Sequence, residues 1–346
     1  MVNDFPTKLS RLKKPVWRVL KSYLPRRFPR EHYEMVSDYP LRQGKYLRPG
    51  LLLLSTAMLG GSQEKAVLLA AAMQASEDWL LIHDDIEDHS EYRRSIASTP
   101  RPTLHKLHGE DLAINAGDAL HIIMWRILGD AVEKIGGPQG WEVFRKMNDI
   151  LLTTTEGQAL ELLWTQKDVV KVKRADYYRM ISKKTAYYSI IGPLQLGAMV
   201  AGRGNRKTLE ALERWGKPLG YAFQIRDDLI NLTQSSRVMG KERGGDILEG
   251  KRTLMLIHLL EHCSKKESAR IAAIYKKDRQ DKTETEKNYV IRLMKHYGSL
   301  GNAADAIARN CRIARAEFDK FAAGLPDSEA KESLREAISF IENRVY

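Results

Sequence analysis

Two cysteines, Cys263 and Cys311, stand in 346 residues, far apart and outside any CxxC spacing. That scarcity excludes a disulfide framework and a cysteine zinc site, and the simple expectation is a reducing, cytoplasmic setting. Long apolar runs are also missing. The most apolar stretch, Tyr187 to Gly202, is interrupted by Ser189, Pro193 and Gln195 and is too short to span a bilayer. The N-terminus lacks the apolar core of a secretory signal. Gly, Pro and Ser nowhere cluster into a linker, and no repeat of solenoid period occurs, so one domain is expected. No run alternates with period two, which argues against a sheet. Acidic residues are nearly absent from the first thirty positions, where nine Lys and Arg stand against Asp4 alone in a chain of net charge +12. The excess marks a basic arm, residues 1–30, ahead of a single domain over 31–346. The interleaved Val16, Trp17, Val19, Leu20, Tyr23 and Leu24 suit packing of this arm onto the body or a partner subunit. Weak contact with an anionic membrane surface fits less well, and no nucleic-acid partner is expected.

What is present is helical periodicity almost throughout. Pro49 suits the first turn of a helix over Leu51 to Leu59, and after Gly60-Gly61 Ser62 can cap a long helix to about Asp88. A loop from His89 to Pro102 follows. Further helices are expected over Asp111 to Ile135, Trp141 to Gln166, Arg174 to Val200, Thr208 to Thr233, Thr253 to His262, Thr285 to His296, Asn302 to Ala323 and Asp327 to Arg344. Glycine-rich breaks separate several of them. The fold class is therefore all-α, a single large helical bundle.

Two acidic strings carry the chemistry. Leu81-Ile82-His83-Asp84-Asp85-Ile86-Glu87-Asp88 stacks Asp84 and Asp88 on one helix face, behind apolar residues. Phe223-Gln224-Ile225-Arg226-Asp227-Asp228-Leu229-Ile230-Asn231 repeats the arrangement. One such string is matched by a solvated acidic helix end; two in one all-α chain are much harder to dismiss. Buried carboxylates need a cation, and oxygen ligands without His or Cys suit Mg²⁺, which bridges to substrate phosphates. The metal candidates are Asp84, Asp85, Asp88, Asp227, Asp228 and Asn231. Cations for a diphosphate stand nearby in sequence: Lys45 and Arg48 at a helix start, Arg93-Arg94 after the first string, Lys183-Lys184-Thr185, and Lys241 and Lys251 around a glycine-rich loop.

Taken together, GKYLRP from Gly44, LIHDDIED with Arg93-Arg94, PTLH, INAGDAL, TTEGQALEL, KKTA, FQIRDD and GKERGGDILEGKRT resemble the trans-isoprenyl diphosphate synthases, the polyprenyl synthetase family. The matches run in order from Gly44 to Thr253. The resemblance implies an isoprenoid-synthase bundle with a central active-site cavity, a homodimer, and condensation of isopentenyl diphosphate with an allylic diphosphate. It implies that Asp84, Asp88 and Asp227 ligate Mg²⁺, that Lys184, Lys241 and Lys251 hold the allylic diphosphate, and that Lys45, Arg48, Arg93 and Arg94 hold isopentenyl diphosphate. Thr185 and Gln224 match positions that line the developing allylic cation. Three departures stand out: Asn231 replaces a common Asp, Ser95 to Arg101 lengthens a link, and Glu77 replaces a His or Gln that contacts isopentenyl diphosphate. Glu77 is expected to pair with Lys45 or Arg48.

In the family, bulk at the fourth and fifth positions before the first motif forms the floor of the product slot. Leu80 and Trp79 stand there, with Ser76 one turn further back. A single aromatic at the fifth position favours geranylgeranyl diphosphate over farnesyl diphosphate. Rival readings are an HD phosphohydrolase from His83-Asp84, a class I terpene cyclase and a noncatalytic family subunit. The second acidic string and the basic residues argue against the first, GKYLRP against the second, and the retained Asp84, Asp88 and Asp227 against the third.

Overall fold

The computed structural model describes residues 4–96, 99–165, 171–234 and 242–344. The predicted helices form, with boundaries set by local chemistry. Helix α1 (Phe5–Tyr23) leads into α2 (Arg30–Arg42), α3 (Leu47–Met58) and α4 (Gln63–Glu87). Ser62 caps α4 by accepting from the Lys65 N–H. Next come α5 (Leu104–His108), α6 (Glu110–Ile135), α7 (Gly137–Thr165), α8 (Arg174–Ile181), α9 (Gly192–Val200) and α10 (Arg206–Thr233). The C-terminal part holds α11 (Gly245–Leu248), α12 (Leu254–His262), α13 (Lys265–Tyr275), α14 (Glu284–His296), α15 (Ser299–Ala322) and α16 (Glu329–Asn343). Capping boxes at Ser264/Glu267 and Thr283/Glu286 start α13 and α14.

Several features differ from the sequence reading, which placed no helix over α1, α2 or α5. The link after the first acidic string contains a hairpin, β1 (Tyr92–Ile96) antiparallel to β2 (Thr99–Pro102). Short strands of this kind, rich in Arg and Pro, carry no period-two signal. Helix α13 also escaped notice, because its polar sequence has few apolar steps. The helix expected over Arg174 to Val200 is continuous but changes winding: Ser182–Ile191 is π-helical, between α8 and α9. Such segments often mark functional sites.

Two buried clusters form the core. One gathers Leu51, Leu212, Trp215, Leu254 and Phe318 among others; the second gathers Leu20, Met73, Leu120, Met124 and Met147. Helix α1 reaches both, burying Phe5 and Leu9 in the first and Val16 and Leu20 in the second. Its Lys8 pairs with Glu336 of α16 at 2.8 Å. The apolar side of the basic arm is thus part of the bundle. No helix among the described residues is long and apolar enough to cross a membrane.

Small residues let the helices meet around the π segment. A Cβ on Gly157 of α7 would collide with the Lys184 backbone, and one on Gly220 of α10 would collide with Ala186. The π segment is therefore gripped closely from two sides, by α7 and by α10, the helix carrying the second acidic string.

Candidate active site

The first acidic string ends α4. His83 turns toward α6, where the missing side chain of Gly117 makes room for its ring and Asp118 lies 3.7 Å from Nε2. Asp84 turns the other way. It accepts from Arg93 Nη2 at 2.9 Å, and Lys184 Nζ and Gln158 Nε2 both lie at 3.4 Å. Asp88 lies one turn on and pairs with Lys251 at 2.7 Å; Lys251 also reaches Glu249 at 2.9 Å. Burial pushes the Asp88 carboxyl up to about 7 despite Lys251. Burial also works against the charge of Lys251, but Asp88 and Glu249 outweigh it and hold the ammonium well above its ordinary value. Asp85 points inward and is fully buried. Arg93 grips both its oxygens and Tyr39 donates to Oδ2 at 2.5 Å.

The second string lies on α10. Asp227 is partly exposed and pairs with Arg344, just beyond α16. Asp228 is buried, accepting from Tyr177 at 2.8 Å and from Gln224 Nε2 at 2.7 Å. Burial pushes its carboxyl up to about 7 as well. Thr185 of the π segment donates to Gln224 Oε1 at 2.5 Å, so Thr185, Gln224 and Asp228 form one chain. Lys184 pairs with Glu161 of α7 and reaches Asp84, bringing the π segment against the first string. Asn231 is spent locally: its Oδ1 accepts from the Asp246 N–H at 3.3 Å and its carbonyl from Gly244 at 2.8 Å. One acceptor site of this amide oxygen is thereby used in holding the start of α11.

A third cluster lies between the start of α3 and the middle of α4. Arg48 pairs with Glu77 at 3.1 Å and lies over the Tyr188 ring at 4.6 Å. Lys45 stays exposed, but the protein around it partly desolvates its ammonium and lowers it to about 8, with Arg344 lowering it further and Asp227 opposing. Arg94 donates to Asp78 at 3.0 Å and lies 3.8 Å from Glu77. The hairpin separates the two arginines. Tyr92 faces Pro102 and Ser95 faces Pro100, so Arg93 and Arg94 together oppose Arg101. Such a bulge re-aims side chains. Arg93 goes to the first acidic string and Arg94 to the Glu77 cluster, so the structure does not bring Arg93 together with Arg48. Lys241 lies outside the described residues.

The sequence reading passed over several partners: Gln158 and Glu161 within TTEGQALEL, Tyr39 and Tyr177, Asp78, Glu249 and Arg344. Gln158 and Glu161 share a helix face three residues apart, a legible signal. The tyrosines and Arg344 come from distant segments and left none.

Among the described residues no three His, Cys, Asp or Glu side chains converge on one point. The donor set nevertheless fits Mg²⁺, which keeps waters and takes only one or two carboxylates with substrate phosphates completing its shell.

The polyprenyl synthetase family model matches residues 30–294. The chain belongs to the polyprenyl synthetase family. A geranylgeranyl diphosphate synthase of Sulfolobus acidocaldarius is 34% identical over 249 residues, 72% of each chain. A short chain isoprenyl diphosphate synthase of Methanothermobacter thermautotrophicus is 33% identical over 302 residues, 87% of this chain and 86% of that one. The crystal structure of geranylgeranyl pyrophosphate synthetase from Pyrococcus horikoshii superposes with a TM-score of 0.83 at 31% identity, covering 98% of both chains. This polyprenyl synthetase is thus an isoprenyl diphosphate synthase, a trans-prenyltransferase.

Behind the first motif of this synthase, Trp79 is nearly buried and stacks face to face on His121 of α6, centroids 4.0 Å apart. Trp125 donates to His121 Nε2 at 2.7 Å, which fixes the ring. Ser76 bonds the Tyr188 hydroxyl at 2.9 Å, and Leu80 is partly buried beside them.

Proposed function

We propose that this enzyme condenses isopentenyl diphosphate with an allylic diphosphate to give geranylgeranyl diphosphate, with Mg²⁺ as cofactor. The observation that carries the reading is the division of the basic residues into two groups. Lys184 and Lys251 lie on the first acidic motif, whereas Arg48 and Arg94 gather around Glu77. Two diphosphates need two such groups; a cyclase needs one.

Lys184 and Lys251 hold the allylic diphosphate and stabilise its charge as the C–O bond breaks. Asp84, Asp88 and Asp227 would hold Mg²⁺, which when bound would supply Lewis-acid stabilisation to that leaving group. Thr185 Oγ1 and Gln224 Oε1, linked at 2.5 Å, supply oxygen dipoles beside the developing allylic cation. Lys45, Arg48 and Arg94 orient isopentenyl diphosphate so that its double bond attacks that carbon, and the released diphosphate takes the proton lost from the adduct. The Trp79–His121 stack closes the product slot. The exposed Ile122, Trp141, Leu152 and Leu163 on α6 and α7 give an apolar face for a homodimer. Free Cys263 and Cys311 suit a cytoplasmic setting.

The test is incubation with Mg²⁺, isopentenyl diphosphate and each short allylic diphosphate, followed by sizing of the products. A twenty-carbon product is expected. Absence of condensation with every primer overturns the reading, and a fifteen-carbon end product overturns the chain length.

A further inference from the structure

We propose that Asp78 is a positioning residue for the isopentenyl diphosphate site: buried beneath Arg94, it fixes that guanidinium in place for the incoming diphosphate. The inference rests on the reading that Arg94 serves isopentenyl diphosphate.

The geometry around Arg94 is over-determined. Its backbone has a φ of 60°, a left-handed conformation that is costly for a residue with a side chain. The bulge in β1 turns it off the strand, and its Nη1 donates to the Tyr39 carbonyl at 3.0 Å. Its Nη2 donates to Asp78 Oδ1 at 3.0 Å. Gly44, just before Lys45, leaves the space the guanidinium occupies, since a Cβ there would come 2.9 Å from Nη2. The chain therefore holds one long side chain by strain, a carbonyl, a carboxylate and a missing side chain at once.

Asp78 itself is 1% exposed, and its Oδ2 accepts no hydrogen bond among the described residues. A carboxylate so placed is a poor way to gain stability, because desolvation offsets much of what the ion pair returns. Its gain lies in geometry. A free arginine loses rotamer freedom when it binds a diphosphate, and a guanidinium already anchored through two donors loses less. With five N–H donors, Arg94 keeps others for a ligand. Glu77 lies 3.8 Å from the same nitrogen and 3.1 Å from Arg48. The neighbouring carboxylates on α4 thus tie both arginines to one helix.

The full-length enzyme tests this through separate constants for the two substrates. Asp78→Asn is expected to raise KM for isopentenyl diphosphate roughly tenfold, the scale of one charge-assisted hydrogen bond, with kcat and the allylic KM within about twofold. In an Arg94→Ala background the same substitution adds nothing, because it acts through Arg94. Gly44→Ala displaces Arg94 independently and gives the same selective rise. Calorimetric titration with isopentenyl diphosphate alone reads the site without turnover, with a matching rise in Kd. If the wild type binds that diphosphate but makes no product, the proposed reaction fails and the positioning role stands. The role is overturned by a folded Asp78→Asn enzyme that binds isopentenyl diphosphate as tightly as the wild type. It is also overturned by equal losses for both substrates, or by effects that multiply in the Arg94→Ala background.

Discussion

The two aspartate motifs share a spelling and differ in how their charge is balanced. In each, the first Asp of the adjacent pair faces other chemistry and the second is buried against a tyrosine hydroxyl, Tyr39 for Asp85 and Tyr177 for Asp228. Beyond that they diverge. Asp85 is gripped by the Arg93 guanidinium, and Asp84 and Asp88 lie against Arg93, Lys184 and Lys251. Asp228 accepts from the neutral donors Tyr177 and Gln224, and the cation of the second motif sits one residue away, Arg344 on Asp227. An acidic pair on a helix thus divides its work between an outward ligand and an inward anchor. The cost of the anchor depends on whether a full charge meets it.

The largest expected effect tests what the motifs share. Asp84→Ala and Asp227→Ala should each lower turnover by about a thousandfold or more while circular dichroism stays native, since each removes a ligand from the diphosphate clamp. Normal condensation by a folded Asp84→Ala enzyme would falsify the assignment. The next test sharpens the difference. Asp85→Asn leaves Arg93 buried with its main counter-charge gone and should cost about 3 kcal/mol in urea denaturation. Asp228→Asn loses no buried cation's partner and should cost about 1 kcal/mol or less. Equal losses would show that the charge contrast has no energetic content.

A third buried carboxyl extends the comparison with pH. Burial pushes Asp78 up to about 6 from the ordinary 3.8; Arg94 opposes this, Glu77 adds to it and Gln74 opposes it, with Lys13 and Tyr46 also facing the group. Because the folded value is raised, the folded protein takes up this proton before the unfolded chain. The stability this group contributes grows as pH falls from about 6 toward 4 and is lost as pH rises through 6. The wild type should therefore gain on Asp78→Asn by about 1.4 kcal/mol between pH 7.5 and pH 5, read as a difference in Tm. A difference that is flat with pH rules this out. The smallest effect concerns neither motif directly. Trp79→Ala removes the aromatic that stacks on His121 and should lengthen the main product by about one isoprene unit, with little change in kcat. An unchanged product distribution from the folded variant would place the floor of the slot elsewhere.

The long helices from α3 onward and both acidic motifs were legible in the sequence because their signals are local, whereas α1, α2, α5 and α13 were not read. A three- and four-residue apolar rhythm predicts a helix, and two Asp four apart on one predict a shared face. The π segment was not legible. Its residues read as ordinary helix, and its winding depends on Gly157 and Gly220 admitting the backbone closely on two sides. Nor could Arg93 and Arg94 be assigned to different sites. As neighbours they look alike, and the bulge that parts them lies in a hairpin without a periodic signature. Asn231 resembled a metal ligand by position, and only the fold of the loop after α10 brought Asp246 to its side-chain oxygen.

The sequence by itself determined the helical class, the family and the residue types able to hold metal and diphosphate, because periodicity and motif spacing are properties of neighbouring residues. The tertiary structure decided which Asp of each pair turns inward, which arginine serves which cluster, and that Asp78 lies beneath Arg94. Those outcomes depend on how each helix is rotated about its axis. That rotation is set by what packs against it from Tyr39, Tyr177 and the hairpin, far away in the chain.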